Sequence, residues 1–332
     1  MLTSDEYLFA AAHALLAGEL VAIPTETVYG LGADASNPIA VNRVYEVKGR
    51  PADHPLIVHV ASLEHCHVWV DEASVLNRLT MLGKAFWPGP LTMIVPRKKD
   101  APAYASAGQG TVGLRVPAHG IATTLLNKFH ELGGLGIAAP SANRFGKVSP
   151  TSAAHVRADL GSDVPWVIDG GDCEVGLEST IVDLCTTPPR ILRPGAISAL
   201  EISQCLDELV ADGANSASPQ VSGSLASHYA PDTPLKLLTS DDLVSTAQAV
   251  TGRKIGIWAS QTTCSRLMLP NLQGHFKVAH SKPKDYAHEL YAVLRSIDTW
   301  GVTEVFIEQP PDAGMPEWNA VIDRLQRASF AA

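Results

Sequence analysis

The chain has 332 residues, of which 46% are apolar and 18% charged, with a formal net charge of -9. Its length suits two domains of about 100–200 residues each, and its composition excludes long disorder. The acidic balance argues against a surface that grips nucleic acid throughout, because that affinity comes from neutralising phosphates, and leaves only a local basic patch open.

Asp5 and Glu6 precede any apolar run, so the N-terminus does not read as a secretory signal. No uninterrupted apolar stretch is long enough to span a bilayer, and no membrane partner is expected. Cys66, Cys173, Cys185, Cys205 and Cys264 are scattered, without C-x-x-C spacing. That pattern predicts free thiols in a reducing cytoplasm and no cysteine metal site.

Thr3 and Glu6 form a candidate capping box for a first helix that stops at Gly18. Leu20 to Ile23 reads as a buried strand, 39–47 as a helix and 55–60 as a strand. Further strands are expected at 91–95, 112–116, 135–139, 166–168 and 180–184. Helices are expected at 71–86, 121–132, 152–160 and 198–210. From Ala211 to Pro234 apolar periodicity gives way to Gly, Ser, Asn and Pro, which reads as a linker. Beyond it, strands at 235–238, 254–258, 276–279 and 305–308 alternate with helices at 241–250, 285–299 and 318–328. That alternation predicts a small parallel α/β domain. The domains expected are therefore 1–210 and 235–332, joined by 211–234.

Five segments carry chemistry. Pro24-Thr25-Glu26-Thr27-Val28-Tyr29-Gly30-Leu31-Gly32 packs hydroxyls, a carboxylate and a phenol after a strand, with glycines that let backbone approach a ligand; a polar turn is the plainer reading. Lys48-Gly49-Arg50-Pro51 can aim two cations at one anion, such as a triphosphate, or compensate a helix C-terminus. His54 and His59 follow, and a lone histidine in a strand is more often a core residue than a ligand. Arg115, in Thr111-Val112-Gly113-Leu114-Arg115, alternates with apolar neighbours and suits either a carboxylate or solvent. The run from Ala138 to Thr151 opens a strand into a donor-rich loop that feeds a helix, which suits phosphate oxygens, although it lacks P-loop spacing. Glu178-Ser179-Thr180 and Arg193-Pro194-Gly195 place polar groups at strand ends, without a G-x-S-x-G elbow or a triad order.

Taken together, P-T-E-T-x-Y-G-L-G, K-x-R-P with P-L-I-V-H, P-S-A-N…S-P-T, E-S-T-I-V-D and R-P-G stand in the order that resembles the threonylcarbamoyl-AMP synthase family, built on the YrdC-type domain. His228-Tyr229-Ala230-Pro231 and Asp323-Arg324-Leu325 resemble its longer, two-domain form. The resemblance implies an α/β fold with a YrdC-like twisted mixed sheet and a concave cavity, plus a smaller Rossmann-like parallel C-terminal domain. It implies an enzyme, a nucleotidyltransferase, that combines ATP, L-threonine and bicarbonate into threonylcarbamoyl-AMP and pyrophosphate, for other proteins to transfer onto a tRNA adenosine. It places Thr27, His59, Arg115, Ala139 and Ser179 around threonine. It places Lys48, Arg50, His54, Thr111, Ser141, Asn143, Ser149 and Arg193 along ATP, with Tyr229 as part of a lid. Lys48 and Arg50 would act on the reacting phosphates, and Mg²⁺ would ride on ATP with few protein ligands. Two departures stand out: Ser222-Gly223-Ser224-Leu225-Ala226-Ser227 replaces a common Pro-Gly and basic residue, and His54 stands where asparagine is more usual. The competing readings are a carbamoyl-phosphate-dependent carbamoyltransferase and a non-catalytic double-stranded-RNA-binding module.

Overall fold

A computed structural model describes residues 4–70, 72–223, 229–250, 252–267, 274–311 and 315–330. The chain divides into two compact units. One comprises Met1–Phe145 with Ser149–Ser224, the other Gly146–Val148 with Leu225–Ala332.

The first unit is built on ten strands: β1 Val21–Ile23, β2 Gly30–Asp34, β3 Ile57–His59, β4 Leu91–Pro96, β5 Thr111–Arg115, β6 Ile137–Ala138, β7 Trp166–Val167, β8 Thr180–Asp183, β9 Arg190–Arg193 and β10 Ala211–Asp212. Their order is β10-β9-β8-β4-β5-β3-β6-β2-β1-β7. Pairing is mixed: β3 runs parallel to β5 and β4 to β8, while β4 and β5 are antiparallel. This is the mixed sheet that the family resemblance implies.

The alternation along β1 shows how the sheet is covered. Val21 and Ile23 face one way, against Leu8, Ala12 and Leu15 of α1 (Ser4–Leu16) and Leu125 and Phe129 of α4 (Gly120–Glu131). Leu20 and Ala22 face the other, into a larger core. There Val41 and Val44 of α2 (Pro38–Lys48) and Leu79 and Leu82 of α3 (Ala73–Phe86) also pack. Helix ends follow local chemistry. Asn37 caps α2 by accepting from the amides of Ile39 and Ala40, Pro38 starts it, and Gly49 ends it in the left-handed region at φ 62°. Ser152 caps α5 (Ala153–Leu160), and a full capping box of Ser198 and Glu201 opens α6 (Ala199–Leu206).

The second unit has four parallel strands, β11 Leu235–Leu238, β12 Ile255–Ala259, β13 Gly274–Val278 and β14 Glu304–Glu308, in the order β11-β14-β12-β13. Helices α7 (Ser240–Ala249) and α8 (Gln261–Arg266) bury Leu243, Val244, Ala247 and Cys264 against Ile255, Ile257, Ala259 and Phe306. Trp258 alternates with these and stacks on Tyr286 of α9 (Pro283–Ile297) at 4.6 Å, so helices cover both faces. The last helix, α10 (Asn319–Ser329), packs on α9 and β11. This is the smaller Rossmann-like unit expected.

Several expectations need adjustment. Gly30–Asp34, read as loop, is a fully buried strand. The helix expected to run to Val210 ends at Leu206, and Ala211–Asp212, placed in the linker, pairs with β9. The short helix α8 carried no readable periodicity. The Thr3 cap and His228 lie outside the described residues. All five cysteines are free, three of them buried. Among the described residues, no helix is long and apolar enough to cross a membrane.

Candidate functional site

The left-handed turn at Gly49 ends α2 and sets Lys48 and Arg50 on either side of it, both buried. Lys48 Nζ donates to the carbonyls of Ser141 (2.5 Å) and Asn143 (2.6 Å). Burial, reinforced by the Arg50 guanidinium, holds its pKa well below the ordinary lysine value. Arg50 donates to the Pro55 carbonyl (3.0 Å) and the Ser222 hydroxyl (2.9 Å), with its guanidinium 5.9 Å from the centre of the Phe145 ring. His54 lies edge-on to that same ring at 5.7 Å, and burial and Arg50 lower its pKa. The strand-to-loop run at 138–145 therefore wraps the end of α2, where its carbonyls accept from Lys48.

Arg193, at the end of β9, is the second anchor. Its Nε and Nη2 both donate to the Ser179 carbonyl, and Nη2 also reaches the Ser179 hydroxyl at 3.1 Å. Its Nη1 donates to the Ser222 carbonyl at 3.1 Å. Ser179 Oγ in turn lies 2.7 Å from the Thr92 hydroxyl of β4. A continuous line of polar contacts thus runs Arg50–Ser222–Arg193–Ser179–Thr92.

Gly195 makes this approach feasible. A Cβ there would lie 2.3 Å from the Thr180 amide nitrogen and 2.7 Å from the Ser179 carbonyl carbon. Glycine is required by closeness, with no need for a left-handed conformation.

Arg115 forms the third anchor. It sits opposite His59 across the β3–β5 ladder, and its Nη2 lies 2.7 Å from Glu26 Oε1. Both side chains are at most 5% exposed. The pair is held by proximity of charge, since no aligned hydrogen bond reaches either Glu26 oxygen. Arg115 Nε donates to the Gly89 carbonyl, while the Thr180 amide donates to the Pro90 carbonyl, so one turn joins this anchor to β8. His59 is buried; desolvation and then Arg115 push its pKa down to about 3, keeping the ring neutral. Thr27 is fully buried, its hydroxyl 2.9 Å from that of Thr25, which donates to the Val28 carbonyl.

The remaining expected residues fall as follows. Ala139 donates its amide to Ile57, and Gly30 passes so close that an added Cβ would meet the Ala139 methyl at 3.1 Å. Thr111 lines a small cavity of about 20 Å³, water-sized, rimmed by Gln220, Val221 and Ser222. Ser149 donates to Glu178 at 2.6 Å, both buried. Tyr229 belongs to the second unit, where it is 1% exposed, stacks on Tyr291 at 5.4 Å and lies under Arg324 at 5.4 Å. The two C-terminal motifs, one around Tyr229 and one around Arg324, therefore meet each other.

Sequence reasoning assigned no role to Glu26, Thr92, Glu178 or Ser222. Glu26 and Glu178 stood inside quoted motifs, and their pairing is a tertiary fact. Ser222 lies in a segment read as spacer, 172 positions from its partner Arg50.

Lys48, Arg50, Arg115 and Arg193 are buried in the same unit as Glu26 and Glu178. Planar guanidiniums and a buried ammonium suit phosphate and carboxylate oxygens. Among the described residues no group of three or more His, Cys, Asp and Glu could hold a metal ion.

The chain as a whole is similar to known proteins. A family model for Sua5/YciO/YrdC, described as telomere recombination, matches residues 13–195. A second, described as the C-terminal domain of threonylcarbamoyl-AMP synthase, matches residues 197–330. Threonylcarbamoyl-AMP synthase of Pyrococcus abyssi is 37% identical over 96% of this chain and 93% of its own. That of Bacillus subtilis is 37% identical over 98% of this chain and 94% of its own. The crystal structure of P. abyssi Sua5 complexed with L-threonine superposes with a TM-score of 0.85 at 35% identity, covering 99% of this chain and 95% of that one.

Proposed function

Because the chain belongs to the threonylcarbamoyl-AMP synthase family, in its two-domain form, we propose that it converts L-threonine, bicarbonate and ATP into threonylcarbamoyl-AMP and pyrophosphate. The observation that carries this reading is the line Arg50–Ser222–Arg193–Ser179, which joins the residues expected along ATP to those expected around threonine.

In this reading Arg115 binds the threonine carboxylate. Glu26, 2.7 Å from Arg115, makes the pocket complementary to a zwitterion, because the amino acid's two charges match the two side chains in reverse. Thr27 and Ser179 offer hydroxyls to its polar atoms. The solved P. abyssi relative with L-threonine bound supports the amino acid as a substrate. Neutral His59 adds shape and a ring edge without a competing charge.

The amine, once deprotonated, captures the carbon of bicarbonate with loss of water. A carbamate oxygen then attacks the α-phosphorus, and pyrophosphate leaves. No covalent bond to the protein is needed. Lys48, Arg50 and Arg193 hold the phosphates in line and take up charge that shifts onto the leaving group. Ser141 and Asn143 supply further polar contacts, with Ser149, His54 and Thr111 beside them. Mg²⁺ enters as part of the substrate, bound to ATP. A carbamate and a mixed anhydride both react readily with water, so the reaction calls for a site that excludes it. The product then passes to a transfer step that modifies tRNA, in a cytoplasmic setting.

The test is pyrophosphate release by the full chain. Release that needs both L-threonine and bicarbonate is the expected result. Turnover of carbamoyl phosphate with neither would replace this reading by a carbamoyltransferase.

A further inference from the structure

The loop from Asp169 to Glu178 joins β7 to β8, and the reaction above gives its first nine residues no role. It lies on the segment that carries Glu26. At its near end Gly170 passes so close that an added Cβ would lie 2.7 Å from the Pro24 ring and 2.8 Å from His119 Cε1. Further along, the Cys173 amide donates to the Thr151 carbonyl at 2.9 Å and the Val175 amide to the Glu26 carbonyl at 2.7 Å. At its far end Glu178 accepts from Ser149 Oγ at 2.6 Å. The loop is therefore a strap, tied down at intervals along its length.

One side chain holds its near end. The Tyr29 hydroxyl accepts from the Gly170 amide at 3.0 Å and donates to the Gly171 carbonyl at 2.8 Å. Burial, only partly offset by the Gly170 amide, raises the phenol's pKa to about 12, so it stays protonated and keeps donating. The Tyr29 ring is fully buried in the larger core. Its backbone is clasped as well: the amide donates to the Pro150 carbonyl at 2.9 Å, and the carbonyl accepts from the Ala142 amide at 2.8 Å. The hydroxyl is thus a fixed point, and the strap is the part that can move. Gly171 is exposed, so without the hydroxyl its carbonyl turns to water and the near end is released.

We infer that Tyr29 is a positioning residue for the amino-acid substrate: its hydroxyl fixes the strap at Gly170 and Gly171, and the strap, through Val175, holds Glu26 beside Arg115. This rests on the reading of Glu26 and Arg115 as the L-threonine pocket. The nucleotide side is spared, because the Ser149 tie sits at the other end of the strap, where β8 anchors it by pairing with β4.

Cys173 reports the state of the strap directly. Its thiol is buried, and burial followed by the Glu26 carboxylate pushes its pKa to about 12. Such a thiol alkylates slowly, because the thiolate is the nucleophile. The test compares Tyr29→Phe with the parent in steady-state pyrophosphate release and in Cys173 alkylation by iodoacetamide at about pH 8, read by mass spectrometry, below the ordinary thiol pKa. The ring still fills the core, so circular dichroism should match the parent. The KM for L-threonine should rise about five- to tenfold, the factor of one lost hydrogen bond, with the KM for ATP and kcat within about twofold. Cys173 alkylation should accelerate several-fold. A fall in kcat with both KM values unchanged, both KM values rising together, or Cys173 as protected as in the parent would overturn the inference. A parent that releases no pyrophosphate sinks the functional reading instead. Alkylation then decides the tie alone: a faster rate upholds the hold of Tyr29 on the strap, and an unchanged rate refutes it.

Discussion

Arg193 grips Ser179 by three hydrogen bonds, two to its carbonyl and one to its hydroxyl, and leaves its remaining nitrogen on Ser222. A lysine cannot reproduce that fork. Arg193→Lys should keep the fold, checked by circular dichroism, and lower pyrophosphate release about 100-fold, the scale of losing one preorganised charge-stabilising group.

Arg50 reaches Pro55 and Ser222, both at the edge of the site and neither in the apolar core. Arg50→Ala should therefore abolish ATP-dependent pyrophosphate release while the melting temperature falls by only a few degrees, the shift that about 1 kcal/mol produces. Near-normal turnover in this variant would remove Arg50 from the phosphate path.

Glu26 and Arg115 are a buried pair. Glu26→Gln strips the charge that balances Arg115 and should cost about 3–5 kcal/mol in urea unfolding, as removal of one partner of a buried pair does. The same variant should raise the KM for L-threonine more than that for ATP.

His59 makes stability depend on pH with a definite sign. The unfolded chain takes up a proton near 6.5, whereas the folded chain refuses it until about 3. Stability is therefore fully present above 6.5 and is lost as pH falls, by up to about 1.4 kcal/mol per pH unit from this residue. Urea unfolding at pH 7.5, 6.0 and 5.0 should show a shallower fall in His59→Gln than in the parent.

Gly195→Ala would drive a methyl to 2.3 Å from backbone nitrogen, where no side chain can yield. We expect a loss of about 1–3 kcal/mol or more, as for overpacked interiors. Activity should fall as well, because Ser179 is the neighbour that must move.

Strands rich in branched residues were legible from the chain alone. Leu91–Pro96 and Thr180–Asp183 stand within a residue of where their apolar runs place them. Gly30–Asp34 was not, because Gly-Leu-Gly-Ala-Asp has no β-branched residue and is a strand only through pairing with β1 and β6. Ala211–Asp212 is two residues long and owes its strand state to Arg190 and Ile191 opposite. For the site, residue types in motifs announced cations and hydroxyls. Who touches whom did not follow, since Glu26 and Arg115, or Arg50 and Ser222, meet only after distant strands and loops converge.

The Ser222 contacts bear on traffic through the site. A hydroxyl and a carbonyl of one residue already occupy Arg50 and Arg193. In the reading proposed above, an arriving phosphate would exchange with them and so gain only the difference between the old partners and the new. That exchange trades tightness of binding for ease of departure. An enzyme that must let go of a charged product on every cycle gains speed by it.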